Sequence, residues 1–237
     1  MKNKLSLSLL VAGFTGMFAL VNGCQKDYVA PATPASRSFV EEFDTVANMY
    51  KRGWVFNNNS RPQGAATWQQ GIYQAVSGKT GITFDGFPAF SYQGSPDEYA
   101  FAGFASGNDV ATLSSWMITP EIEMRNGDKI SFYARTFTGS TYPDRLQVRL
   151  NPTDNTADVG FDAASVGKFT QLITDINPNL TATGFPQTWT KYEFTISGLP
   201  NTILKRRIGF RYFVGNGGPN GANSNAIGVD KFEYMAQ

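Results

Sequence analysis

Histidine does not occur in these 237 residues. That absence excludes Ser-His-Asp and Cys-His nucleophilic catalysis, HExxH zinc chemistry and every His-ligated metal centre. Cysteine occurs once, as Cys24, so the core must hold without internal disulfides. Neither a GxxxxGK[ST] phosphate loop nor a GxGxxG following a strand is present. Basic and acidic residues nearly balance, 20 against 19. There is therefore no basic excess to grip nucleic acid and no polybasic patch for a membrane surface. No stretch shows a sustained 3.6-residue period with caps, and no internal repeat is visible.

What the chain does have begins at its N-terminus. Lys2 and Lys4 precede "LSLSLLVAGFTGMFALV", an apolar run ending in small residues. A basic stretch, a short apolar stretch and a small-residue site predict a secretory signal. The run is short for a transmembrane helix and is diluted by Ser, Thr and Gly. "Val21-Asn22-Gly23-Cys24" resembles a bacterial lipobox, which implies lipidation of Cys24 and removal of residues 1–23. Two or three acyl chains anchor stably where one is marginal. "Cys24-Gln25-Lys26-Asp27" resembles the short charged signal after the cysteine of surface-exposed lipoproteins of the Bacteroidetes. The expected location is the outer membrane, on the cell surface, with the lipid as the only membrane contact. Residues 24–36, with "YVAPATPAS", read as an extended tether.

Residues 37–237 read as one all-β domain. "KISFYAR" sets Ile130, Phe132 and Ala134 against Ser131, Tyr133 and Arg135. "RLQVRL", "KYEFTI" and "RRIGFRYFV" alternate in the same way. A period of two with one polar face is the pattern of antiparallel sheets that share a core. Turn clusters such as "NNNSRPQG", "NPTDN" and "GNGGPNGANSN" separate the runs. Many strands joined by such turns predict an antiparallel jelly-roll β-sandwich. "FVEEFDTVANMYK" reads as a strand followed by a turn or short helix. Ile227 and Val229 share one phase and Phe232 and Tyr234 the other, which predicts a β-bulge at Asp230.

Aromatic residues make up 14% of the chain. Those on inward strand phases fill the core. Trp54, Trp68 and Tyr142 lie beside turns and are the candidate platforms for a sugar ring. The loop Val214–Asn225 supplies amides, Asn216, Asn220 and Asn223, suited to sugar hydroxyls, and Thr136–Arg145 is its partner loop.

"SSWMITPEIEMRNGDKISFYARTF", Ser114 to Phe137, resembles the core motif of choice-of-anchor J domains and the related cleaved-adhesin domains. Upstream "EEFDTVANMYKRGWVFNNN" and downstream "AIGVDKFEY" resemble that family's opening and closing segments, so the match spans residues 39–234. The resemblance implies a jelly roll related to MAM and carbohydrate-binding modules, with a structural Ca2+ held by Asp44 and Asp230. Where the family often has two adjacent acidic residues, Lys231 follows Asp230. One carboxylate fewer weakens a cation site.

Three functions compete. The expectation is a non-enzymatic, lipid-anchored module that binds a glycan or an extracellular protein. A glycoside hydrolase would need a carboxylate pair drawn from residues such as Asp97, Glu98 and Asp109, held roughly 5 to 9 Å apart. An accessory role beside an outer-membrane partner would show an exposed apolar patch. Replacing Cys24 with Ala is expected to abolish palmitate labelling and move the protein to the soluble fraction. Labelling that survives the substitution would dispose of the anchor.

Overall fold

The computed structural model describes residues 37–78 and 81–237. The expected signal, Cys24 and the tether lie outside them. Among the described residues sixteen strands follow in chain order: β1 Phe39–Glu41, β2 Val55–Asn58, β3 Arg61–Gln63, β4 Gln69–Gln70, β5 Tyr73–Gly78, β6 Gly81–Gly86, β7 Ala100–Gly103 and β8 Gly107–Ile118. Then come β9 Ile122–Met124, β10 Lys129–Thr136, β11 Leu146–Leu150, β12 Gln171–Ile176, β13 Thr190–Thr195, β14 Leu204–Arg206, β15 Ile208–Gly217 and β16 Ala226–Met235. Two six-stranded antiparallel sheets form the sandwich. One runs β13-β10-β16-β7-β4 with β1 also on β16; the other runs β12-β11-β15-β8-β2 with β3 also on β8. Pairs β5–β6 and β9–β14 stand apart. This is the expected jelly-roll β-sandwich in a single domain.

The alternation in sequence decides which residues meet between the sheets. Ile130, Phe132 and Ala134 of β10 face Leu146, Val148 and Leu150 of β11 and Ile208, Phe210, Tyr212 and Val214 of β15 in one core. Phe210 stands edge-on to Phe132 at 5.2 Å and to Phe232 at 5.5 Å, joining the sheets. The opposite faces are covered too. Phe101 and Ala226 pack outward under Phe87, Tyr99 and Trp189. Trp116 and Ile118 pack outward under Val159 and Phe169. Arg211 is buried on that second face, donating to Ser114 Oγ, Gln147 Oε1 and the Ala163 carbonyl, with its guanidinium 3.7 Å from the Phe213 ring. Burial, with repulsion from Arg149 and Arg145, pushes it down to about 9.

The opening segment forms β1 and then a 3-10 helix, Val46–Arg52. Gly53 closes that helix at φ 86, a conformation that favours glycine. The bulge is also present: Ser131 pairs with Glu233 but Tyr133 with Asp230, so β16 carries one residue more than β10 there.

One pole of the sandwich is tied by Asp128, which is fully buried just before β10. It accepts from Arg37 at 2.7 and 3.2 Å, from the backbone N–H groups of Arg125 and Gln237 at 2.9 Å, and from the Tyr234 hydroxyl. Burial alone would raise its carboxyl. The Arg37 guanidinium and the other donors outweigh that and hold it below the usual range.

Because Phe210 contacts both aromatic neighbours across the sheets, Phe210→Ala is expected to cost about 3 to 5 kcal/mol. Urea unfolding would check this; a loss below about 1 kcal/mol would mean the sheets are joined elsewhere.

Candidate functional site

At the pole opposite Asp128, two cavities share a wall. One, 480 Å³, lies among Thr67, Gln69, Ile72, Phe101, Phe104 and Asn225. The other, 340 Å³, lies among Phe104, Tyr142, Pro219, Asn220, Ser224 and Asn225. Phe104 and Asn225 line both, so the two form one groove with a ring at its divide.

Local sequence explains the placement. Phe104 opens a single 3-10 turn between β7 and β8, and its N–H donates to Asn225 O at 3.0 Å. Its ring is 45% exposed. Tyr142, 51% exposed, stands on the loop after β10. The loop from β15 to β16 is braced internally. Asn220 donates to Asp109 Oδ1, Asn223 to Gly215 O, and Gly218 N–H to Ser224 Oγ. Gly218 has φ +88, and a Cβ there would lie 2.2 Å from Asp109 O. The groove wall is therefore set by backbone geometry rather than by long side chains.

Asp144 ties these loops together. It is fully buried. Oδ1 accepts from the Tyr212 hydroxyl at 2.5 Å and from Asn225 N–H at 2.9 Å, and Oδ2 from Thr136 Oγ1 at 2.7 Å. None of these partners is a cation. Burial pushes the carboxyl up to about 6, and the three hydrogen bonds only partly oppose it.

The sequence candidates separate. Tyr142 and Asn220 line the groove. Asn216, exposed at φ 52, and Asn223 brace the same loop without lining it. Trp54 and Trp68 are corrected: each is 3% exposed. Trp54 packs edge-on to Phe43 and Phe232. Trp68 donates its indole N–H to Ser115 O and backs a separate cleft beside Tyr50 and Phe56. A turn beside a tryptophan does not expose it when the turn folds over the core. Phe104 and Asn225 were missed as site residues. The one signal for Phe104 was an aromatic residue between Gly103 and Gly107, at a strand end.

The hydrolase candidates all hold loops. Glu98 is buried and accepts from the N–H groups of Gln93, Gly94 and Ser95 at 2.7, 3.0 and 2.7 Å, which hold it below the usual range. Asp97 accepts from Tyr73 N–H, and Asp109 holds Asn220.

The residues expected to hold calcium do not fit it. Asp44 is exposed, beyond a turn at Phe43, which has φ 57. Asp230 is fully buried, and its oxygens already accept from the N–H groups of Phe90, Ser91 and Lys231 at 2.8, 3.1 and 2.7 Å. Burial, with the charge of Glu42 adding to it, pushes Asp230 up to about 7. Among the described residues no group of three or more carboxylates comes together as a metal site, whereas calcium takes six to eight oxygens.

Comparison with solved structures agrees with this architecture. A cleaved adhesin domain of Lys-gingipain from Porphyromonas gingivalis superposes with TM-score 0.50 at 17% identity, over 84% of this chain and 98% of that one. Another cleaved adhesin domain of the same protein gives 0.48 at 13%, over 84% and 98%. A family 11 carbohydrate-binding module from Clostridium thermocellum, in complex with a mixed-linked tetrasaccharide, gives 0.40 at 16%, over 84% and 95%. The first of these, at TM-score 0.50, makes the fold cleaved-adhesin-like; at this identity the likeness is one of fold alone. No family model matches the chain, so the choice-of-anchor J resemblance rests on its motifs. No curated protein matches it either.

Asp144 gives a pH prediction. Its folded carboxyl sits near 6, above an ordinary 3.8, so the folded state binds this proton more tightly than the unfolded chain. Its contribution is fully present below pH 4 and is lost as pH rises through 6, on the order of 2 to 3 kcal/mol. Asp144→Asn is expected to flatten that part of the stability–pH curve measured by urea unfolding. An unchanged slope between pH 4 and 6 would refute the assignment.

Proposed function

We propose that this chain is a non-enzymatic recognition module, adhesive or glycan-binding, carried at the cell surface by a lipid on Cys24. The observation that carries the reading is the groove. Two exposed rings, Phe104 and Tyr142, stand beside the amides of Asn220 and Asn225 on loops held by side-chain hydrogen bonds to Asp109 and Ser140. Aromatic faces take the apolar faces of a sugar, and amides take its hydroxyls. The concavity and its few polar groups suit a small ligand or the end of a longer one.

The poles support the same reading. β10 runs from Lys129, next to Asp128, to Thr136, which bonds Asp144. Eight residues of strand span roughly 25 Å. Arg37 is clamped at the Asp128 pole, so the described chain enters the sandwich at the end away from the groove.

Glycan-array screening followed by calorimetry tests this. Phe104→Ala and Tyr142→Ala are each expected to weaken binding at least tenfold, as aromatic anchors covered by a ligand do, with Tm unchanged because both rings are exposed in the free domain. A ligand held equally well by both variants would place recognition elsewhere.

A further inference from the structure

The β1–β16 junction contains a charge arrangement that the resemblance does not anticipate. Phe39, Val40 and Glu41 pair with Tyr234, Glu233 and Phe232, and one further step of that register sets Glu42 across from Lys231. Lys231 Nζ lies 3.7 Å from Glu42 Oε1, with both side chains 30% exposed. Glu42 Oε2 is buried without a hydrogen-bond partner. Next to this pair sits Asp230, its oxygens turned onto backbone N–H groups. The junction therefore gathers two carboxylates and one resident cation.

The backbone at Lys231 adds a second observation. It takes φ +47, in the left-handed region, as the extra residue of the bulge. Asn and Asp adopt that region far more readily than Lys. A lysine held there gives up backbone preference, and the group it gains is its ammonium.

We infer that the Lys231 ammonium replaces a divalent cation at this junction, so that the domain is complete without calcium. It neutralises Glu42 beside the buried Asp230, as a metal ion would. It also repels an incoming Ca2+, and too few oxygens remain to outweigh that repulsion. Asp44, the expected ligand, has no part in this arrangement, and Glu42 takes its place.

Thermal unfolding of the whole chain in millimolar CaCl2 and in excess EDTA tests the inference. The wild-type Tm is expected to be the same in both. Lys231→Asn, which suits the backbone at that position, is expected to be several degrees less stable than wild type in EDTA. CaCl2, but not MgCl2, should restore it. Lys231→Arg keeps the charge and is expected to remain indifferent to calcium. A wild-type Tm that rises by a few degrees in CaCl2, with the rise lost in Asp230→Asn, overturns the inference. So does a Lys231→Asn variant as stable as wild type in EDTA and unresponsive to calcium. Equilibrium dialysis of wild type with labelled calcium decides independently of variant folding. One ion bound per chain and lost in Asp230→Asn refutes the inference; no such binding upholds it.

Discussion

One extra residue in β16 is the constraint on which much of this domain rests. Without the bulge at Asp230 and Lys231, Ile227 and Val229 could not share the inward face with Phe232 and Tyr234. The same irregularity divides the edge of β16. β7 pairs with it at Ala226–Val229, and β1 takes over at Phe232–Tyr234. In the gap, Phe90 and Ser91 reach Asp230 with their N–H groups, closing the segment that covers the outer face of the sheet. Core phase, edge pairing and outer cover thus all follow from one added residue.

With no disulfide within the described domain, buried carboxylates take over the task of fixing loops. Asp128, Asp144, Asp230 and Glu98 each accept two or more hydrogen bonds from backbone N–H or neutral side-chain donors. They differ in what balances their charge. Asp128 has Arg37, whereas Asp144 is satisfied only by neutral groups and sits beneath the groove. A paired carboxylate strengthens its pole at neutral pH. An unpaired one costs stability there, and in exchange fixes β10, β15 and the loop before β16 relative to one another.

The strands were legible because alternation is a direct record of which side faces the core. "KISFYAR" and "RRIGFRYFV" could hardly be read otherwise, and the phase break at Asp230 was equally plain. The site was only partly legible. Asn220 could be named because it falls in a long Gly/Asn loop, and Tyr142 because it is an aromatic residue beside a turn, but the second reasoning misplaced Trp54 and Trp68. Proximity to a turn is a one-dimensional property, while burial depends on which neighbours fold over the ring. Phe104 and Asn225 meet because β7 pairs with β16 and the ladder is continued by the Phe104 N–H to Asn225 O bond, between segments about 120 residues apart in sequence. Glu42 carries no signal in the sequence, because the register that places it opposite Lys231 exists only in the folded sheet.

The way β1 meets β16 has a mechanical consequence. β1 leaves the Asp128 pole and runs toward the groove, antiparallel to a strand that starts at the groove and ends at that pole. Tension between Arg37 and a ligand held in the groove therefore acts along the strands. The hydrogen bonds of the β1–β16 ladder lie across that direction, so they are loaded together in shear rather than peeled one at a time. The Arg37–Asp128 ion pair lies ahead of the ladder and takes up the load first.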